Sequence, residues 1–122
     1  MLICKEVIGM QEIRSIALWG DSVMRGVVYD EQRGRYGLLP ENAADRASRT
    51  LGLTLYNRSR MGCTVTKGLS IMKRDIEAGV EPQAALIEFG GNDCDYTWAE
   101  IAASPDGEHR PHVLLSEFTA CY

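Results

Sequence analysis

The chain has 122 residues, 45% hydrophobic and 25% charged, with 13 basic against 17 acidic side chains and a formal net charge of -4. That is enough for one domain with a core, and the acidic balance argues against nucleic acid and anionic membrane surfaces as partners. No apolar run approaches the roughly 20 residues of a membrane-spanning helix.

The first fourteen residues read as an N-terminal extension. Their apolar start, MLICKEVIGM, is broken by Lys5 and Glu6 and has no small-residue cleavage site, so it does not read as a secretory leader. Cys4, Cys63, Cys94 and Cys121 are scattered with no C-x-x-C pair. Reduced thiols and a cytoplasmic location are therefore expected, rather than a disulfide framework or a zinc site.

After the extension, strand and helix signals alternate. Ser15–Trp19 (SIALW) is a short apolar run suited to a strand buried on both faces. It runs into Gly20-Asp21-Ser22, a small polar corner. In LLPENAADRASRTLG, Leu39, Ala43, Ala47 and Leu51 fall four apart, predicting a helix with Pro40 in its first turn and Gly52 at its end.

Leu53–Asn57 (LTLYN) reads as a second strand. TVTKGLSIMKRDIEAG places Val65, Leu69, Met72 and Ile76 at helical spacing, with Thr64 as N-cap and Gly79 as terminator. Gly68 inside that helix costs about 1 kcal/mol against alanine. Ala84–Phe89 (AALIEF) reads as a third strand, and VLLSEFTACY as the first turns of another helix.

The alternation predicts an α/β fold: a three-layer α/β/α arrangement with a parallel, flavodoxin-like sheet and right-handed crossovers. Ligands in such sheets bind at the carboxyl ends of the strands. Three polar, glycine-bearing segments fall there: GDS after the first strand, NRSRMG after the second, and GGND after the third. Each has a plain structural alternative, because strand-to-helix turns use these residue types anyway. Ser22 also fits a helix N-cap, Gly62 a turn glycine and Asn92 an Asx-turn. Asp21 and Asp93 are expected to stabilise turns or helix starts. Arg25, Arg58 and Arg60 lie close enough to contact an acidic substrate, but solvated surface arginines are the favoured reading.

Taken in order, GDS, the glycine of NRSRMGCT and GGND resemble three of the four motif blocks of the SGNH (GDSL-type) hydrolases, a family of esterases and lipases. The likeness spans Ile16 to about Asp93. It implies an SGNH-hydrolase-like domain that cleaves carboxylic esters through an acyl-enzyme on Ser22. The oxyanion hole would comprise the N–H groups of Ser22 and Gly62 and the side-chain amide of Asn92. The residue types suit the chemistry, since fixed donors aimed at a developing oxyanion each contribute about 2.7–4 kcal/mol. No cofactor or metal is implied, and the partner is a small ester.

Rival motifs fit less well. The G-x-S-x-G elbow needs glycine where Met24 stands, and neither a dinucleotide fingerprint nor a P-loop follows the first strand. A flavin or phosphate binder remains an alternative on architecture alone.

The resemblance also calls for a downstream D-x-x-H block, because a serine hydroxyl needs a base. Only His109 and His112 are present, both within about thirty residues of Asn92. Asp106–His109 (DGEH) fits the spacing but sits in SPDGEHRPH, which reads as an exposed connection. The expectation is an incomplete, N-terminal portion of the domain, weak or inactive alone, that self-associates through an open sheet edge. A non-catalytic binding or assembly module using the same pocket is the alternative.

Overall fold

The computed structural model describes residues 12–122. Cys4 and most of the expected extension lie outside this range, and Glu12–Arg14 carry no regular element. Ten elements follow: β1 (Ser15–Gly20), α1 (Ser22–Arg25), β2 (Val27–Asp30), β3 (Arg35–Leu38), α2 (Ala43–Leu51), β4 (Thr54–Asn57), α3 (Val65–Glu77), β5 (Ala84–Glu88), α4 (Trp98–Ala103) and α5 (Leu115–Cys121).

β4, β1 and β5 form one parallel sheet in that order, with β1 in the middle. Chain order second-first-third is the doubly wound arrangement whose switch point falls between the first and third strands. The centre is dry as expected: Ala17, Leu18 and Trp19 are all buried. On the flanking strands, Tyr56, Leu86 and Ile87 stay exposed, and among the described residues β4 and β5 each pair on one side only. No helix among the described residues is long and apolar enough to cross a membrane.

A buried polar knot ties the sheet to α3. Asp75 is 2% exposed and accepts from Trp19 Nε1 at 3.0 Å and from the Arg58 guanidinium through two bonds. The Arg58 bonds, with help from Trp19, hold the Asp75 carboxyl down to about 2. Arg58 thus serves the fold and is not available to a substrate.

Both long helices start and stop near their predicted places but turn different faces inward. α2 begins at Ala43, after Pro40, because Asn42 and Asp45 form a reciprocal capping box there. Its predicted stripe is not buried: Leu39 lies before the helix and is exposed, and Leu51 is 69% exposed. Ala44, Asp45 and Ser48 are the half-covered positions. Edge strand β4 offers too little surface to cover a full apolar stripe.

In α3 the buried residues are Val65, Gly68 and Asp75, with Leu69 and Met72 half-buried and Ile76 54% exposed. The inward face has rotated so that Asp75 reaches Trp19 and Gly68 meets Phe89. A Cβ on Gly68 would sit 2.1 Å from Phe89 Cζ, which explains a glycine in mid-helix. Gly79, at positive φ, ends the helix, with Val80 N–H returning to the Asp75 carbonyl.

Four elements had no counterpart in the sequence reading: α1, α4 and the two strands of the antiparallel hairpin β2–β3. The hairpin inserts directly after α1 and carries an edge-to-face Tyr29–Tyr36 pair at 5.2 Å.

Candidate active site

The polar corner at the end of β1 is shaped by what stands opposite. Gly20 pairs with Glu88, and a Cβ on Gly20 would lie 2.9 Å from Glu88 Oε2 and 3.0 Å from its carbonyl oxygen. Only glycine lets the two strand ends approach this closely. Glu88 Oε2 accepts from the Asp21 N–H at 3.3 Å, and burial pushes its carboxyl above the usual carboxylate range.

Asp21, not Ser22, is the N-cap of α1: its Oδ1 accepts from Val23 N–H at 2.8 Å. Ser22 is the first helical residue and half-buried, so its hydroxyl is not spent on capping.

The second loop is drawn alongside β1. Beyond the end of β4, Arg58 N–H donates to the Leu18 carbonyl at 2.8 Å and Arg60 N–H to the Gly20 carbonyl at 3.0 Å. The chain then turns at Met61–Gly62. Gly62 has φ +66, a conformation that by itself calls for glycine, and its missing Cβ faces open space.

The third loop closes the corner. Asn92 Nδ2 donates to Asp21 Oδ2 at 3.3 Å and to the Cys63 carbonyl at 3.1 Å. One amide therefore bridges the residue before Ser22 and the residue after Gly62. Asp93 is buried and accepts from Val65 N–H at 2.8 Å, supplying the cap bond that Thr64 does not make. Both aspartates stabilise helix starts, as expected.

Of the other groups weighed from the sequence, Arg25 donates to the Asn57 carbonyl at 3.3 Å and Arg60 is exposed. His109 Nε2 meets the Ser104 carbonyl at 2.7 Å, within its own loop. Cys63, Cys94 and Cys121 are free thiols. Burial pushes the Cys63 thiol up, which favours its unreactive, protonated form.

Two residues were given no role in the sequence reading, Glu88 and His112. Glu88 carries no local motif, and only its register opposite Gly20 gives it a role. His112 Nδ1 lies 3.0 Å from the Asn92 carbonyl oxygen. Its signal was no more than being one of two histidines.

Two cavities flank the GGND turn. One of about 450 Å³, with a mixed polar and apolar lining, is walled by Gly62, Asn92 and His112 together with Thr64, Lys67 and Glu117. An apolar one of about 290 Å³ lies among Tyr96, Pro111, Leu115 and Phe118. Val113 lines both. Among the described residues no three His, Cys, Asp or Glu side chains gather closely enough to hold a metal ion.

No protein-family model and no curated protein sequence matches this chain. Solved structures do. AlinE4, an SGNH-hydrolase family esterase, is similar with a TM-score of 0.54 and 26% identity, over 70% of this chain and 44% of the esterase chain. An aspartate-to-alanine variant of that esterase matches with a TM-score of 0.53 and 26% identity. A serine-to-alanine variant matches with 0.54 and 27%. The chain thus spans less than half the length of the esterase it resembles. The fold is an SGNH-like α/β fold built on the parallel β4-β1-β5 sheet.

Proposed function

We propose that this corner is the acylation site of a carboxylic-ester hydrolase. Ser22 Oγ attacks the ester carbonyl, and the oxyanion is met by the N–H groups of Ser22 and Gly62 and by Asn92 Nδ2. The observation that supports this reading most is the Asn92 amide, hydrogen-bonded to a neighbour of Ser22 and a neighbour of Gly62 at once. An incoming carbonyl oxygen would displace the longer of those bonds, the one to Asp21, and take its donor.

Acylation expels an alcohol, and hydrolysis of the acyl-enzyme returns the serine and releases the acid. Both steps need a group to hold the serine proton. Triad-stripped serine proteases keep roughly 10³–10⁴-fold acceleration over water from the oxyanion hole and binding, so slow acylation is the activity to look for first.

The test is reaction with a fluorophosphonate probe, read by intact mass. One adduct is expected on the wild-type chain and none on Ser22→Ala. Equal labelling of the two would remove Ser22 from the mechanism.

A further inference from the structure

Asp21, the last residue before Ser22, is held at every polar atom. Its Oδ1 accepts from the Val23 N–H at 2.8 Å and its Oδ2 from Asn92 Nδ2 at 3.3 Å. Its carbonyl accepts from the Arg25 N–H at 3.1 Å. Its own N–H donates to Glu88 Oε2 at 3.3 Å. Three of these ties come from α1 or from the turn that carries Asn92. The fourth comes from the neighbouring strand, and it alone is made by a second ionisable group.

The strand ends leave room for that group. Glu88 closes β5 and pairs with Gly20 at the close of β1. Its carboxylate lies over Gly20, where a Cβ would come 2.9 Å from Oε2, so the glycine that ends β1 also admits the acceptor. A residue in the first turn of a helix has no intrahelical partner for its N–H. The Ser22 N–H therefore takes its direction from Asp21, and Asp21 takes part of its own from Glu88.

The charge on Glu88 is open to change. From β1 the titratable group that faces it is Asp21, and Arg25 on α1 bonds instead to the Asn57 carbonyl. Neither Asp21 nor Glu88 forms an ion pair among the described residues. Burial therefore raises the Glu88 carboxyl, the Asp21 N–H offsets part of that, and the Asp21 charge adds to it. As pH falls, Glu88 takes a proton before a surface carboxylate does. The charge-assisted bond to the Asp21 N–H then becomes a weaker, neutral one.

We infer that Glu88 is a positioning residue for Ser22, whose ionised carboxylate, through the Asp21 N–H, holds the start of α1 in its reactive setting. That Ser22 reacts rests on the esterase reading; the coupling of Glu88 to the start of α1 does not.

The experiment follows the full chain and Glu88→Gln across pH, by NMR and by the rate of fluorophosphonate labelling. In the variant the amide oxygen still accepts from the Asp21 N–H, but position 88 no longer titrates. In the wild type the Asp21 and Ser22 N–H resonances should move in step with the Glu88 carboxyl as it takes its proton. In Glu88→Gln that step should be absent. Dividing the wild-type labelling rate by that of the variant removes any pH dependence common to both chains. The ratio should be roughly 3 to 10 where Glu88 is ionised, the difference between a charge-assisted and a neutral hydrogen bond. It should fall toward one as Glu88 becomes protonated, whereas a role in folding alone would leave it constant. A Ser22 resonance that ignores the Glu88 titration, a ratio independent of pH, or faster labelling of Glu88→Gln would each overturn the assignment. A wild-type chain that takes no label removes the esterase reading, and the NMR titration then decides the coupling by itself. Labelling that proceeds with a constant ratio removes Glu88 and leaves the esterase reading standing.

Discussion

At the corner that ends β1, the buried carboxylate of Asp21 accepts from Val23, two residues away, and from Asn92, 71 residues away. The hairpin that begins at Val27 is held instead by its own ladder, one Tyr29–Tyr36 contact and a bond from Leu39 N–H to the Gly26 carbonyl. Every hairpin residue from Glu31 to Leu38 is exposed. Long-range ties close large loops and fix geometry, whereas local ones leave a segment able to open by itself. The difference teaches that the candidate site is mounted on the tied corner, while the hairpin is free to vary around it.

The sharpest way to upset this contrast is at the knot beneath the corner. Asp75→Ala leaves the Trp19 N–H and the Arg58 guanidinium without their partner and should cost about 3–5 kcal/mol in urea unfolding. A loss no larger than that of a surface substitution would contradict the central role of β1. The same carboxyl gives a pH signature. Its folded value of about 2 lies below the unfolded one, so its contribution is fully present above the unfolded pKa. It fades as pH falls from roughly 4 toward 2, on the order of 2 kcal/mol in all. That portion of the acid slope should vanish in Asp75→Asn.

Gly68→Ala comes next. Overpacking against Phe89 costs about 1–3 kcal/mol, more than the roughly 1 kcal/mol gained in helix propensity. A lowered Tm is expected, and a raised one would show that Phe89 can step aside. Asp21→Ala should cost about 1–2 kcal/mol through the lost cap and shift the Asn92 side-chain amide resonance. An unmoved resonance would deny the link between the two loops. The smallest effect belongs to the hairpin. Tyr36→Ala should cost about 0.5–1 kcal/mol and leave fluorophosphonate labelling of Ser22 intact. A loss of labelling would mean the hairpin belongs to the site.

The strand ends were readable because buried parallel strands are short apolar runs closed by turn residues, and SIALW, LTLYN and AALIEF all have that form. Helix termini were readable to within a few residues through Gly52, Thr64 and Gly79. Which helix face points inward was not. A four-residue repeat cannot foresee that Asp75 is drawn into the core by Trp19, or that Gly68 makes room for Phe89. The hairpin was hidden because its apolar residues are few and exposed, although alternation around Gly34 was a trace of it. At the site, the three loops were visible as motifs, but Glu88 and His112 enter only through register and chain reversal.

Among the described residues β5 pairs only with β1, and Leu86 and Ile87 are exposed; we propose that the described chain self-associates along that edge. Light scattering at micromolar concentration should find a species larger than the monomer, and a clean monomer would end that proposal.

The central claim is that Ser22, Gly62 and Asn92 meet around one oxygen atom. A crystal structure of the fluorophosphonate adduct tests it most directly. The account predicts the phosphonyl oxygen on Ser22 at about 2.7–3.1 Å from Ser22 N, Gly62 N and Asn92 Nδ2. An adduct whose oxygen points to solvent, with Asn92 still bonded to both Asp21 and Cys63, would contradict it.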